Sequence, residues 1–137
     1  MDGKELLQRY ADGERDFSGV DLREASIRGK RGSDPILKDA IFKGANIKYA
    51  NLRRANLSGA NLKGNNLAET DLSCADLSGA NISNSNLTDA NLLGANLSGI
   101  IQEGTLFCNT TMSDESIYND PTRVIEASEL LRRYAAG

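Results

Sequence analysis

From Leu37 to Leu97 every fifth residue is large and apolar: Leu37, Phe42, Ile47, Leu52, Leu57, Leu62, Leu67, Leu72, Leu77, Ile82, Leu87, Leu92 and Leu97. Most follow Ala-Asn or Ala-Asp, as in Ala60-Asn61-Leu62-Lys63-Gly64. A period of five excludes the ordinary elements. On a β-strand, positions five apart fall on opposite faces. On an α-helix, five steps of about 100° advance roughly 140°, so the apolar positions spiral around the axis. The chain must instead turn once per unit, a short extended side followed by a corner, and stack its turns as a solenoid.

A longer correlation gives the number of sides. The Ser-Gly pairs begin at Ser18, Ser58, Ser78 and Ser98, separated by multiples of twenty. Twenty residues per coil means four sides of five. The apolar centre and the small residue two before it then point inward. The Asn or Asp just before the centre faces out and can bond backbone groups at the turn. The last two residues make the corner. Where the second is Gly, as at Gly44, Gly59, Gly64, Gly79, Gly94 and Gly99, a type II turn is available. At Tyr49, Arg54, Glu69, Cys74 and Asp89 that turn would be strained, and a different turn type is expected. Asn65, Ser85 and Thr105, twenty apart at the small inward position, should stack as a polar ladder and find hydrogen bonds inside the column.

These units resemble the A-(D/N)-L-x-x motif of the pentapeptide repeat family. The likeness covers about residues 15–119, thirteen consecutive units of it regular. The opening Glu5-Leu6-Leu7-Gln8-Arg9-Tyr10, followed by Asp16-Phe17-Ser18-Gly19, is similar to cyanobacterial members. The resemblance implies an all-β solenoid, a right-handed quadrilateral β-helix, here of about five coils with short N- and C-terminal α-helices as caps.

The whole chain of 137 residues reads as one domain: a capping helix over 2–12, a β-helix over 15–119 and a C-terminal helix over 121–135. Asp2 can cap the first helix, with Glu5 placed as in a capping box, and Leu6, Leu7 and Tyr10 share a face. The five-residue register, already set by Phe17, Leu22 and Ile27, fails once, within an irregular loop at 29–35. Leu37 lies ten residues after Ile27, so the loop is expected to replace one face of the first coil. After Leu97 the pattern loosens: Gln102 takes a centre, and Ile101 and Leu106 take the outward slot of Asn. Val124, Ala127, Leu130, Leu131 and Tyr134 lie along one side of the last helix, which is expected to cover that apolar end. Glu129–Gly137 matches Glu5–Gly13 at seven of nine places, so a second copy of the cap and a boundary of a longer tandem protein are both open.

Charge is distributed along the rod. Lys30 to Lys63 holds eight Lys or Arg against two Asp, whereas Asn65 to Asp120 holds eight Asp or Glu and no Lys or Arg. Sequence order is axial order in a solenoid, so a basic lower-middle section meets an acidic upper half. Counting by twenties places Arg23, Lys43 and Lys63 in one vertical column and Arg28 and Lys48 in the next. With Arg53 and Arg54, these seven form a candidate interaction surface.

Chemistry has few means here. The chain has no His, which removes Ser-His and Cys-His nucleophile pairs, His metal sites and the commonest general acid–base group. No Walker loop, GxGxxG or Cys-x-x-Cys is present. No catalytic, cofactor or metal site is expected. Cys74 and Cys108 fall on different sides about two coils apart, too distant to bond, which points to thiols and a reducing, cytoplasmic location. No apolar run reaches membrane length. The expected role is a non-catalytic structural or protein-interaction module with flat, charge-patterned faces. Its partner is expected to be a protein, with no membrane or nucleic-acid partner, and self-association through the rod ends stays open. One alternative is a spacer module of a longer tandem protein. The other is a DNA-mimicking inhibitor or modulator of DNA gyrase, since quinolone-resistance members of the family resemble duplex DNA in shape and charge. Those members are acidic over most of the rod and favour Phe at the centre; this chain has Leu there and a basic lower half.

Overall fold

The structure, a computed structural model, describes residues 1–118. From Asp16 to Thr111 the backbone forms single-residue parallel pairings between successive coils, with a spacing of twenty residues from Ile36 onward: Ile36 with Asn56, Asn56 with Asp76 and Asp76 with Asn96 along one side. This is a four-sided parallel β-helix. The centres Leu37, Leu57, Leu77 and Leu97 stack inside it at no more than 1% exposure. From Ala40 to Ala95, where Ala stands two before a centre it is buried as well, because the inner corner has room for little more than a methyl group.

One unit shows why the pattern folds this way. In Asn56–Ala60, Leu57 and Gly59 donate their N–H groups to Asp76 O (2.8 Å) and Ser78 O (2.9 Å) of the next coil. Asn56 donates to Pro35 O of the previous coil (2.8 Å), and Ala60 closes the turn onto Leu57 O (3.0 Å). The remaining donor, Ser58 N–H, is taken by the unit's own Asn56 Oδ1 (3.1 Å). All five N–H groups are thus satisfied, which buried backbone demands. The same side-chain bond recurs at Asn46, Asn51, Asn61, Asn66, Asp71, Asp76, Asn81, Asn86, Asn91 and Asn96.

The corners correct one sequence expectation. Tyr49, Arg54, Glu69, Cys74 and Asp89 do not use a different turn: their φ values of +57° to +64° lie close to those of the Gly corners, and the residue after each donates the same bond to the preceding centre. Bonding to both neighbouring coils over-determines the corner, so the left-handed cost of about 1–2 kcal/mol is absorbed rather than avoided.

The loop supplies a second correction. Asp16 pairs with Ile41, Asp21 with Asn46 and Ser26 with Asn51, a spacing of twenty-five. The first coil keeps all four sides, with centres at Phe17, Leu22, Ile27 and Leu37. The loop therefore adds five residues between two sides instead of replacing a face. It holds a short 3-10 turn at Lys30–Gly32, with Arg31 at φ +56°. Ser18, counted by forty to Ser58, consequently sits on a different side from Ser58, Ser78 and Ser98.

Helix α1 (Gly3–Ala11) lies against the first coil. Asp2 accepts Glu5 N–H (2.8 Å) at its start. Leu6 is fully buried in the core, and Gly3 packs so closely that a Cβ there would stand 2.3 Å from Ser26 O. Tyr10 donates its hydroxyl to Lys38 O (2.8 Å). Polar inward side chains each bond a centre carbonyl one coil back: Ser85 to Leu62 O, Thr105 to Ile82 O, and Asn65 to Phe42 O. Thr70 and Thr110 do the same on the next side. At the upper end β1 (Thr110–Thr111) pairs antiparallel with β2 (Ile117–Tyr118). The helix expected over 121–135 lies outside the described residues.

Candidate functional site

The twenty-five-residue first coil rearranges the basic surface. Arg23 does not share a column with Lys43 and Lys63, nor Arg28 with Lys48. Glu24 N–H bonds Lys48 O (2.9 Å) and Gly19 N–H bonds Lys43 O (3.0 Å), so Arg23 sits below Lys48, while Lys43 lies below Lys63. Ile27 N–H bonds Asn51 O (3.0 Å), which sets Arg28 below Arg53. Three adjoining columns of two result, and counting by twenties separated the true neighbours because the count crosses the five-residue insertion.

Their states differ. Arg23 is held by Asp21, with Nη2 at 2.7 Å from Oδ2 and Nε at 2.9 Å from Oδ1. Those hydrogen bonds lower the Asp21 carboxyl to about 2. Lys48 Nζ stands 4.9 Å from the Tyr49 ring centroid, within cation–π range. Lys43 and Lys63 project from a side with Gly corners, and the described residues offer them no carboxylate within 4.0 Å.

The three remaining cations converge. Arg28, Arg53 and Arg54 line one cleft of about 480 Å³, whose opposite wall is the inserted loop at Gly32, Ser33, Asp34 and Pro35. Two carboxylates share the lining, Asp34 and Asp71. Neither lies within ion-pair distance of the arginines. Asp71 Oδ1 already accepts Ser73 N–H (2.9 Å) and Ser73 Oγ–H (2.6 Å). Sequence reasoning named the arginines but missed the cleft, because nothing in a five-residue rhythm tells an inserted loop from a substituted side.

The upper coils carry Glu69, Asp71, Asp76, Asp89 and Glu103 with no basic residue among them. No group of three or more potential metal ligands gathers among the described residues. Cys74 and Cys108 are not bonded to each other. No described helix is long and apolar enough to cross a membrane.

Comparison with known proteins agrees with this architecture. The family model of pentapeptide repeats matches in eight copies, at residues 33–64, 40–73 and 66–101. A pentapeptide repeat protein from the Arabidopsis thaliana thylakoid lumen is 34% identical, with a TM-score of 0.65 over 77% of this chain and 70% of that one. Rfr23, a pentapeptide repeat protein from the cyanobacterium Cyanothece 51142, is 26% identical, with a TM-score of 0.42 over 80% of this chain and 95% of its own. A pentapeptide repeat protein from Nostoc PCC 7120 is 32% identical, covering 96% and 91% of the two chains at a TM-score of 0.33. No curated protein matches. The repeat unit, its four-sided coil and the family match together make this chain a member of the pentapeptide repeat family.

Proposed function

We propose that the protein is a non-catalytic interaction module that offers its lower coils to an acidic partner protein. The observation that carries this reading is the segregation of charge on a rigid frame. Arg28, Arg53, Arg54, Lys43 and Lys63 lie within the lower coils, with no ion pair among the described residues, on sides fixed by backbone bonds at every unit. A preset array of this kind steers an oppositely charged partner and fixes its register, with little ordering cost on this side of the interface. The interior is filled by Leu and Ala, which favours binding on the faces over catalysis within. The rod in this reading has about five coils, is closed by a helix at each end and works in a reducing, cytoplasmic setting that leaves Cys74 and Cys108 as thiols.

Affinity capture from the source cell tests this. A specific partner should be retained by the intact chain and by an upper-coil variant, Asp76→Asn with Asp89→Asn. It should be lost, at least tenfold, when Lys63→Glu and Arg53→Glu reverse the lower coils. Equal capture by all three would end the reading. A role as a DNA mimic on gyrase requires acid where these coils carry base, so the purified chain should leave gyrase supercoiling unchanged. Potent inhibition in a supercoiling assay would favour mimicry instead.

A further inference from the structure

We infer that the cleft between the inserted loop and the Arg28–Arg53 column is a binding site for a phosphate monoester. This rests on reading the lower coils as an anion-binding surface and names the group they take.

Arg28 and Arg53 occupy the same position on adjacent coils, joined by the Ile27 N–H bond to Asn51 O, so their side chains start about 4.8 Å apart. Arg54 follows at the next corner, where φ of +61° turns the chain away from the side. Three guanidinium groups thus border one space from two coils and a corner. Like charges held this closely repel unless an anion stands between them.

The described residues do not supply that anion. Asp34 and Asp71 line the same cleft yet sit beyond ion-pair distance of all three arginines, and Asp71 is engaged in its own turn through Ser73. Elsewhere the same chain does pair arginines: Arg23 holds Asp21 at 2.7 Å, and Arg9 holds Glu5 at 2.8 Å. Among the described residues Arg15 is taken up by the Tyr10 ring and by the Tyr10 and Glu14 carbonyls, which leaves Arg28, Arg31, Arg53 and Arg54, at the cleft and its loop, with neither an ion pair nor such a partner.

Geometry selects the class of anion. A planar carboxylate is satisfied by one guanidinium through two parallel bonds. Three arginines drawn from two coils and a corner suit the several oxygens and double charge of a phosphate monoester. Asp34 and Asp71 then serve the ester side, as acceptors for hydroxyl or amide donors next to the phosphate, while Pro35 and Ile27 give a small apolar floor. No aromatic ring lines the cleft, so a nucleobase gains no stacking there. At about 480 Å³ the space suits a phosphorylated sugar or a phosphorylated side chain. Both sources present the same chemistry.

Titration calorimetry on the full chain tests the site with four probes: inorganic phosphate, glucose 6-phosphate, a phosphoserine heptapeptide and the same peptide with Glu in place of phosphoserine. The phosphate-bearing probes should bind, and R53Q should weaken them at least tenfold. K4Q, which removes the same charge from the exposed face of helix α1, should change them less than twofold. R53K should fail to restore affinity, because an ammonium lacks the bidentate fork. Circular dichroism of each variant should match the parent. A preference for glucose 6-phosphate identifies a small ester as the source, and a preference for the phosphopeptide identifies a modified partner; either supports the site. If the Glu peptide binds as well as the phosphopeptide, the phosphate assignment fails while the interaction surface stands. Absence of binding by every phosphate probe, or equal losses in R53Q and K4Q, also overturns it.

Discussion

Asn81 shows what the polar residue before each centre does. Its Oδ1 accepts the N–H of Ser83 (3.0 Å) and also the Ser83 hydroxyl, at a corner only 8% exposed. Asn61 makes the same backbone bond to Lys63 (3.0 Å), whose corner is open to water. Asn81→Ala should therefore cost about 1–2 kcal/mol, because a buried donor is orphaned, while Asn61→Ala should cost a few tenths. Chemical denaturation of the two variants distinguishes them, and equal losses would contradict this account of the Asn. The corner residue sets a separate constraint. Gly64 has φ +70°, and a Cβ there would meet nothing within 4 Å, so Gly64→Ala isolates the backbone term. It should lower stability by about 1 kcal/mol with no change in fold. A neutral result would mean that the corner relaxes. Non-Gly corners such as Tyr49 and Glu69 were misjudged from sequence for a physical reason. Local preference disfavours a positive φ there, and the bonds to adjacent coils override it.

At the scale of the element, the repeating side is stable only through its neighbours. Leu77 is fully buried between Leu57 and Leu97, with hydrogen-bonded backbone on both flanks. Leu77→Ala should cost about 2–5 kcal/mol, since the coils above and below cannot close on the void without breaking their pairing. A loss below about half a kilocalorie per mole in denaturant unfolding would place Leu77 outside the core. The inward columns, the Asn turns and the polar ladder were all legible in sequence, because each depends on spacing within a coil or between regular coils. Asn65, Ser85 and Thr105 illustrate this: their twenty-residue spacing is their physical separation of one coil, and Asn65 N–H donates to Ser85 Oγ (3.2 Å). The Lys43–Lys63 column was legible too, since both lie above the insertion, but the other two basic columns were not. Their lower members, Arg23 and Arg28, precede the insertion, while their partners Lys48 and Arg53 follow it.

For the whole molecule, the inserted loop separates two properties that a repeat protein usually keeps together. The apolar rhythm continues through it because five residues are one full unit. Removing Lys30–Asp34 together with Pro35→Ala would join Ile27-Arg28-Gly29 directly to an alanine followed by Ile36-Leu37, an ordinary corner and side. That variant should keep its circular dichroism spectrum and melt within a few degrees of the parent, whereas deleting only Lys30–Ser33 should unfold the first coil. Equal damage from both deletions would show that the loop itself holds the coil together. The shorter chain would also lose one wall of the arginine cleft, and with it the phosphate site.

The bulge has an evolutionary consequence as well. A gain or loss of five codons at a corner is close to silent for folding, yet it reassigns which residues before the event share a side with those after it. A gene of this kind can shift its surface pattern by a quarter turn in one step, without altering a single core position. Twenty-residue periodicity in an alignment of such sequences would then report the history of these slips, and surface pairs inferred by counting would fail wherever a slip lies between them. The juxtaposition of Arg28 and Arg53, twenty-five residues apart, is one pair that counting by coils passes over.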